Sequence, residues 1–355
     1  MKLKHQFLLL ALAVLSFTGY SQNSDLIKKS TETKIETKEI PIDPNVKIGK
    51  LSNGLTYYIR NNGKPEDKLE LRLVVNAGSI LETEKQLGLA HFMEHMNFNG
   101  TKNFQKNELV DYLQSIGVQF GADLNAYTSF DETVYILPIP SDDPEKLDKG
   151  FQILEDWAHN ATLTDEAIDA ERGVVLEEYR LGLGPNKRMM QKYLPKLMYG
   201  SKYAERLPIG TKENLENFSY EDVRSYYKDW YRPDLMAVIA VGDLDTAELE
   251  AKIKQHFSGI AKPENPKKRE TFKLPNHDET FVTIASDKEA PFSQVQIMYK
   301  DKFEAPKIKT TLDYRESLVK TLFSTMINNR LSELTNKPNP PFVFGSTGYS
   351  GTFSR

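Results

Sequence analysis

Leu87-Gly-Leu-Ala-His91-Phe-Met-Glu94-His95-Met-Asn-Phe-Asn-Gly-Thr101 is the stretch on which the reading of the chain turns. Leu87, Leu89, Ala90 and Phe92 put apolar side chains at helical spacing, which predicts a helix from Leu87 to Phe98. Residues four apart are neighbours on one helix face, so the imidazoles of His91 and His95 can reach a single ion. Glu94 sits beside that face, where a carboxylate can take the proton from a water whose acidity the ion has raised. A histidine pair at this spacing, taken alone, is often an accident of a solvated surface. The apolar setting and the intervening glutamate move the reading to a metal.

A catalytic zinc ordinarily has three protein ligands and one open position, so a third donor must come from another element. The chain has no cysteine and six histidines, which restricts that donor to His, Asp or Glu. The helix expected from Asp165 to about Leu181 carries Glu171-Arg-Gly-Val-Val-Leu-Glu-Glu178. Seven steps nearly complete two turns, so Glu171 and Glu178 share a face, whereas Glu177 points about 100° away. Spacing leaves all three glutamates open. A solvated helix face with Arg172 and Arg180 as salt partners would explain them without any metal. A structural metal is the weaker reading, since such sites usually have four protein ligands, often thiolates.

Outward from these helices the chain alternates strand and helix patterns. Thr56 to Arg60, after the Leu51-Ser-Asn-Gly-Leu55 turn, and Leu69 to Val75 read as two strands of one hairpin. Asn107 to Ile116 reads as a helix and Asn125 to Leu137 as a strand that Pro138 and Pro140 end. Helices are expected over 144–161 and 220–230, and over 243–257 after Met236 to Val241, a strand expected to be buried on both faces. The composite is α+β, a mixed or antiparallel sheet layered with helices. Residues 262–276 form a Pro-rich linker, and beyond it Thr280 to Ala285 and Val295 to Tyr299 suggest strands and Thr311 to Leu334 a long helix.

Hydrophobic residues make up 39% and charged residues 27%, with a net charge of −4, so nothing in bulk attracts nucleic acid or anionic lipid. Residues 1–21 have the form of a signal peptide: a basic Met1-Lys-Leu-Lys4, an apolar Phe7 to Phe17, and small residues before an expected cut after Ser21. Export to a periplasmic or extracellular space follows, with no stable membrane anchor after cleavage. Residues 22–44 form a polar tether. His5, His159, His256 and His277 fall outside ligand spacing, and Trp157 and Trp230 read as packing anchors.

The pentad with Met96-Asn-Phe-Asn-Gly-Thr101, the Asn125-Ala-Tyr-Thr-Ser-Phe-Asp-Glu-Thr133 segment and the Glu171–Glu178 helix together resemble the pitrilysin/insulinase-type zinc metallopeptidases, which include mitochondrial processing peptidase. The pentad inverts the order found in zincins. The resemblance is close over about residues 45–260 and looser beyond. It implies one zinc ion per chain on His91, His95 and Glu178, Glu94 as catalytic base, and Glu171 as an accessory carboxylate. It further implies that Asn125, Ala126, Tyr127, Thr128 and Ser129 form an edge strand to which a peptide substrate adds.

Read so, residues 45–261 are the catalytic domain and 277–355 an incomplete second homologous domain, in what looks like a fragment or truncated product. Family members close a chamber with a homologous C-terminal half or a second subunit, and that half is missing from this chain. The expected activity is endopeptidase cleavage of peptides or unfolded segments. The competing reading is a noncatalytic peptide-binding or scaffold subunit.

Overall fold

The structure is a computed structural model and describes residues 37–106, 108–119, 121, 125–300 and 307–349. The expected signal peptide, residues 1–21, and residues 22–36 of the expected tether lie outside these. The chain falls into two compact units, one within residues 41–305 and the other joining residues 37–40 to 307–349.

The larger unit is built on a six-stranded sheet of β1 (Val46–Lys50), β2 (Thr56–Asn61), β3 (Lys68–Val75), β4 (Asn125–Thr128), β5 (Thr133–Pro140) and β6 (Met236–Gly242), in the order β1-β2-β6-β3-β5-β4. Only the β2–β6 pairing is parallel, so the sheet is mixed and the fold α+β. In β3 the alternation seen in sequence becomes a buried row of Leu69, Leu71, Leu73 and Val75.

The expected hairpin of Thr56 to Arg60 with Leu69 to Val75 does not form, because β6 lies between them and pairs with both. Its apolar run makes it suited to the centre of the sheet, and a pairing of such sequence separation is invisible to local pattern. Nor is β6 buried on both faces: Met236, Val238 and Ala240 are buried, while Ala237, Ile239 and Val241 between them are half-buried. The single strand expected over 125–137 is two, β4 and β5, joined by a turn. Pro138 and Pro140 fall inside β5, beyond Ile136 where its pairing with β4 ends, so among the described residues no ladder on that side needs their missing N–H.

The helices of this unit are α1 (Leu89–Phe98), α2 (Glu108–Ser115), α3 (Pro144–His159), α4 (Asp165–Leu181), α5 (Pro185–Leu197), α6 (Lys212–Asn217), α7 (Tyr220–Trp230) and α8 (Thr246–Phe257). α3 packs on β3 and β5, α8 on β2, and α1 on β4, α4 and α7. Trp157 of α3 is fully buried, and Trp230 of α7 nearly so.

α1 is anchored at both ends. At its start Gly88 takes a left-handed φ of 98° and packs against Gly210, where an added Cβ would come within 2.5 Å of Gly88 Cα. The buried Glu82 carboxylate accepts the N–H of Ala90 at 2.8 Å and of Gly88 at 3.1 Å, satisfying first-turn donors that the helix itself cannot. At its end Asn97 and Trp157 exchange side-chain to carbonyl bonds of 3.1 and 3.0 Å. Thr101 then donates to the buried Asp156 at 2.6 Å. Glu82→Ala leaves two buried N–H groups unpaired at about 1–3 kcal/mol each, so a loss of roughly 2–6 kcal/mol is expected in denaturant unfolding. Glu82→Gln, which keeps an acceptor, should lose less.

Among the described residues, 280–285 and 295–299 have no strand assignment, contrary to the sequence expectation. Val282, Ile284, Val295, Ile297 and Tyr299 are exposed there, and none of the described strands offers them a ladder. The smaller unit contains α9 (Thr311–Thr335), capped by a reciprocal Thr310–Asp313 box.

Candidate metal centre

α1 and α4 lie against one another and bring the sequence-selected side chains into one place. Phe92, Met93 and Met96 turn into the core, which leaves His91, Glu94 and His95 on the half-buried side of α1. From α4, Glu178 sets Oε2 3.2 Å from His95 Nε2 and 3.6 Å from His91 Nε2. The donor atoms of these three residues lie within 4.8 Å of one another, the one such grouping among the described residues. Donors on a common tetrahedral zinc, each about 2.0–2.2 Å from it, are about 3.4 Å apart, so the glutamate-to-imidazole distances fit that ion.

The second carboxylate of α4 plays a different part. Glu171, buried, accepts from His95 Nδ1 at 2.9 Å with one oxygen and from Asn99 Nδ2 at 2.7 Å with the other. A hydrogen on Nδ1 leaves Nε2 of His95 as the nitrogen available to an ion. Glu177 points away into a bidentate pair with the exposed Arg180, the salt-bridged surface arrangement that the sequence also allowed. Arg172 instead binds the carbonyls of Leu215 and Phe218.

Burial, followed by the neighbouring charge of His95, lowers the His91 pKa to about 4. Burial acts the same way on His95, but its bonds to Glu171 and Glu178 outweigh it and raise the pKa to about 9. The hydrogen bond from His95 holds Glu178 below the ordinary carboxylate range. Burial raises the Glu94 pKa, opposed by a hydrogen bond from Thr128 and the charge of His95. The metal-free site at neutral pH therefore holds His95 as an imidazolium between two carboxylates, with His91 neutral.

Asn125, Ala126, Tyr127 and Thr128 make up β4, the edge strand of the sheet, whereas Ser129 lies outside it in the turn, its N–H bonded to the Glu132 carbonyl at 2.8 Å. Asn125 and Tyr127 are exposed, and Ala126 and Thr128 half-buried. Glu82, which caps α1, and Asn99, which holds Glu171, were assigned no role from sequence. Asn99 lies within the decisive stretch itself, but Glu82 has no periodic signal to mark it. His256 is buried between Glu155 and Asp148 at 2.8 and 3.4 Å, away from this grouping.

An α+β chain that presents two imidazoles, an adjacent glutamate and carboxylates from a facing helix has the donors a metal-dependent hydrolase requires. It belongs to the insulinase (peptidase M16) family: residues 58–207 match the insulinase (peptidase family M16) domain, and residues 217–337 the peptidase M16 inactive domain. A zinc protease PQQL-like protein of Arabidopsis thaliana is 39% identical over 295 residues, covering 83% of this chain and 31% of the relative. The probable zinc protease PqqL of Haemophilus influenzae is 36% identical over 299 residues, covering 83% and 32%. The solved first half of the periplasmic protease PqqL from Escherichia coli superposes with a TM-score of 0.72 at 32% identity, covering 84% of this chain and 63% of that one. The chain thus spans about a third of the length of the curated relatives it matches.

Proposed function

We propose that this chain carries the catalytic centre of a zinc-dependent endopeptidase that cleaves peptides or unfolded segments. The observation that carries the reading is the close approach of Glu178 Oε2 to both imidazoles, at 3.2 and 3.6 Å. His91, His95 and Glu178 would hold one zinc ion per chain. When bound, the ion supplies a Lewis acid that raises the acidity of water and polarises a peptide carbonyl. Glu94, outside the ligand set and raised in pKa by burial, takes the proton from the attacking water and passes it to the leaving amine. Glu171 holds the His95 tautomer. The free edge of β4 receives the peptide as an added strand, whose main-chain bonds tolerate varied sequences.

Residues 45–261 form the catalytic domain in this reading and 277–355 part of a second homologous domain. The length of the relatives supports completion of the chamber by a homologous half or second subunit. The periplasmic PqqL supports an exported location, and no helix of the described residues is long and apolar enough to cross a membrane. An intact donor set favours catalysis over a scaffold role.

Hydrolysis of a fluorogenic peptide by the full chain should stop on chelation and return with one equivalent of zinc. Hydrolysis indifferent to chelation would refute the reading, and turnover confined to mixtures with a homologous chain would show that the neighbour completes the chamber. Zinc must also displace the His95 proton, which leaves near pH 9 in the metal-free site. Affinity measured by chelator competition should therefore fall about tenfold per pH unit as pH drops from about 8 to 5.

A further inference from the structure

The Thr128 hydroxyl donates to Glu94 Oε2 at 2.5 Å. Among the described residues it is the one hydrogen bond made to that carboxylate, and it leaves Oε1 free. The donor sits on β4, at the register position opposite Thr133, where the strand pleat turns it toward α1 while Asn125 and Tyr127 stay exposed. The residues next to it are held in turn: Thr133, its partner on β5, donates to the Ala77 carbonyl at 3.0 Å, and the carbonyl of Ser129, in the turn after β4, accepts from Ser79 N–H at 3.2 Å. A glutamate has three side-chain torsions and loses most rotamer freedom only when a partner holds its end. Threonine is stiff at χ1, so its hydroxyl is a fixed point of attachment.

We propose that Thr128 is a positioning residue that fixes the Glu94 carboxylate, so that the strand to which substrate adds also sets where the base stands. The inference rests on the endopeptidase reading above and deepens it. A peptide added to β4 would be in register with the very strand that holds the base. The reach from Oε1 to the attacked carbonyl is then set by one strand rather than by two independent elements.

Thr128→Val keeps the shape and removes the donor, whereas Thr128→Ser keeps the donor. Zinc-loaded full chains of both are to be compared with the wild type in peptide kinetics, zinc content and crystal structure. Thr128→Val should lower kcat by about tenfold or more with KM and zinc content little changed, and Thr128→Ser should recover most of the loss. In the crystal, the Glu94 carboxylate should leave its position in Thr128→Val and keep it in Thr128→Ser. An unmoved carboxylate in Thr128→Val overturns the proposal whether or not the wild type turns over. So does an unchanged kcat, or a loss confined to KM. Absence of zinc-dependent turnover in the wild type counts against the endopeptidase reading instead, and the crystal comparison then decides the positioning role alone.

Discussion

Glu94→Gln should bind zinc as the wild type does and lose about 10³-fold or more in kcat, because a positioned general base contributes roughly 10²–10⁴-fold. Glutamine has the same shape and its carbonyl oxygen can still accept from Thr128, so α1 and its neighbours have no reason to move. Glu94 is not among the three residues whose donor atoms converge, so metal affinity should not follow it. What the amide lacks is a site for the proton of the attacking water. Unchanged hydrolysis in this variant, with zinc content confirmed, would transfer the role of base to another carboxylate of the site.

Glu178→Ala should weaken zinc binding more than any other change on α4. Structural zinc sites are worth about 10–16 kcal/mol, so one ligand of four accounts for roughly 3 kcal/mol, more than a hundredfold in affinity. Glu171→Gln should cost about 10–100-fold, the usual effect of losing a group that orients a liganding histidine. Glu177→Ala should leave affinity within about twofold, since its partner is an exposed arginine. Titration against a competing chelator orders the three variants. Equal losses for Glu171 and Glu178, or the larger loss at Glu171, would reassign the third donor.

That ordering separates what residue spacing can decide from what it cannot. Helical periodicity placed His91, Glu94 and His95 on one side of α1, and Glu171 with Glu178 on one side of α4, because both relations are local to one helix. The distinct stations of Glu171 and Glu178, one behind His95 and one in front of both imidazoles, depend on how α1 and α4 pack. No spacing within α4 encodes that. The same division runs through the fold: the strand at Met236 to Val241 was legible as a strand, yet its insertion between β2 and β3 was not. α5 has no counterpart among the helices expected from sequence, because Gly184 and Pro185 have the composition of a turn, whereas Pro185 opens the helix and Pro195 lies within it. The apolar alternation of 280–285 and 295–299 is a strand pattern without a strand to pair with among the described residues.

The central claim is tested most directly by anomalous diffraction at the zinc edge from crystals of the zinc-loaded full chain. The account predicts one peak, about 2.0–2.2 Å from His91 Nε2, His95 Nε2 and a Glu178 oxygen, with Glu94 near it but not bonded. A peak that omits either imidazole or Glu178, or one enclosed by four protein donors, would contradict it.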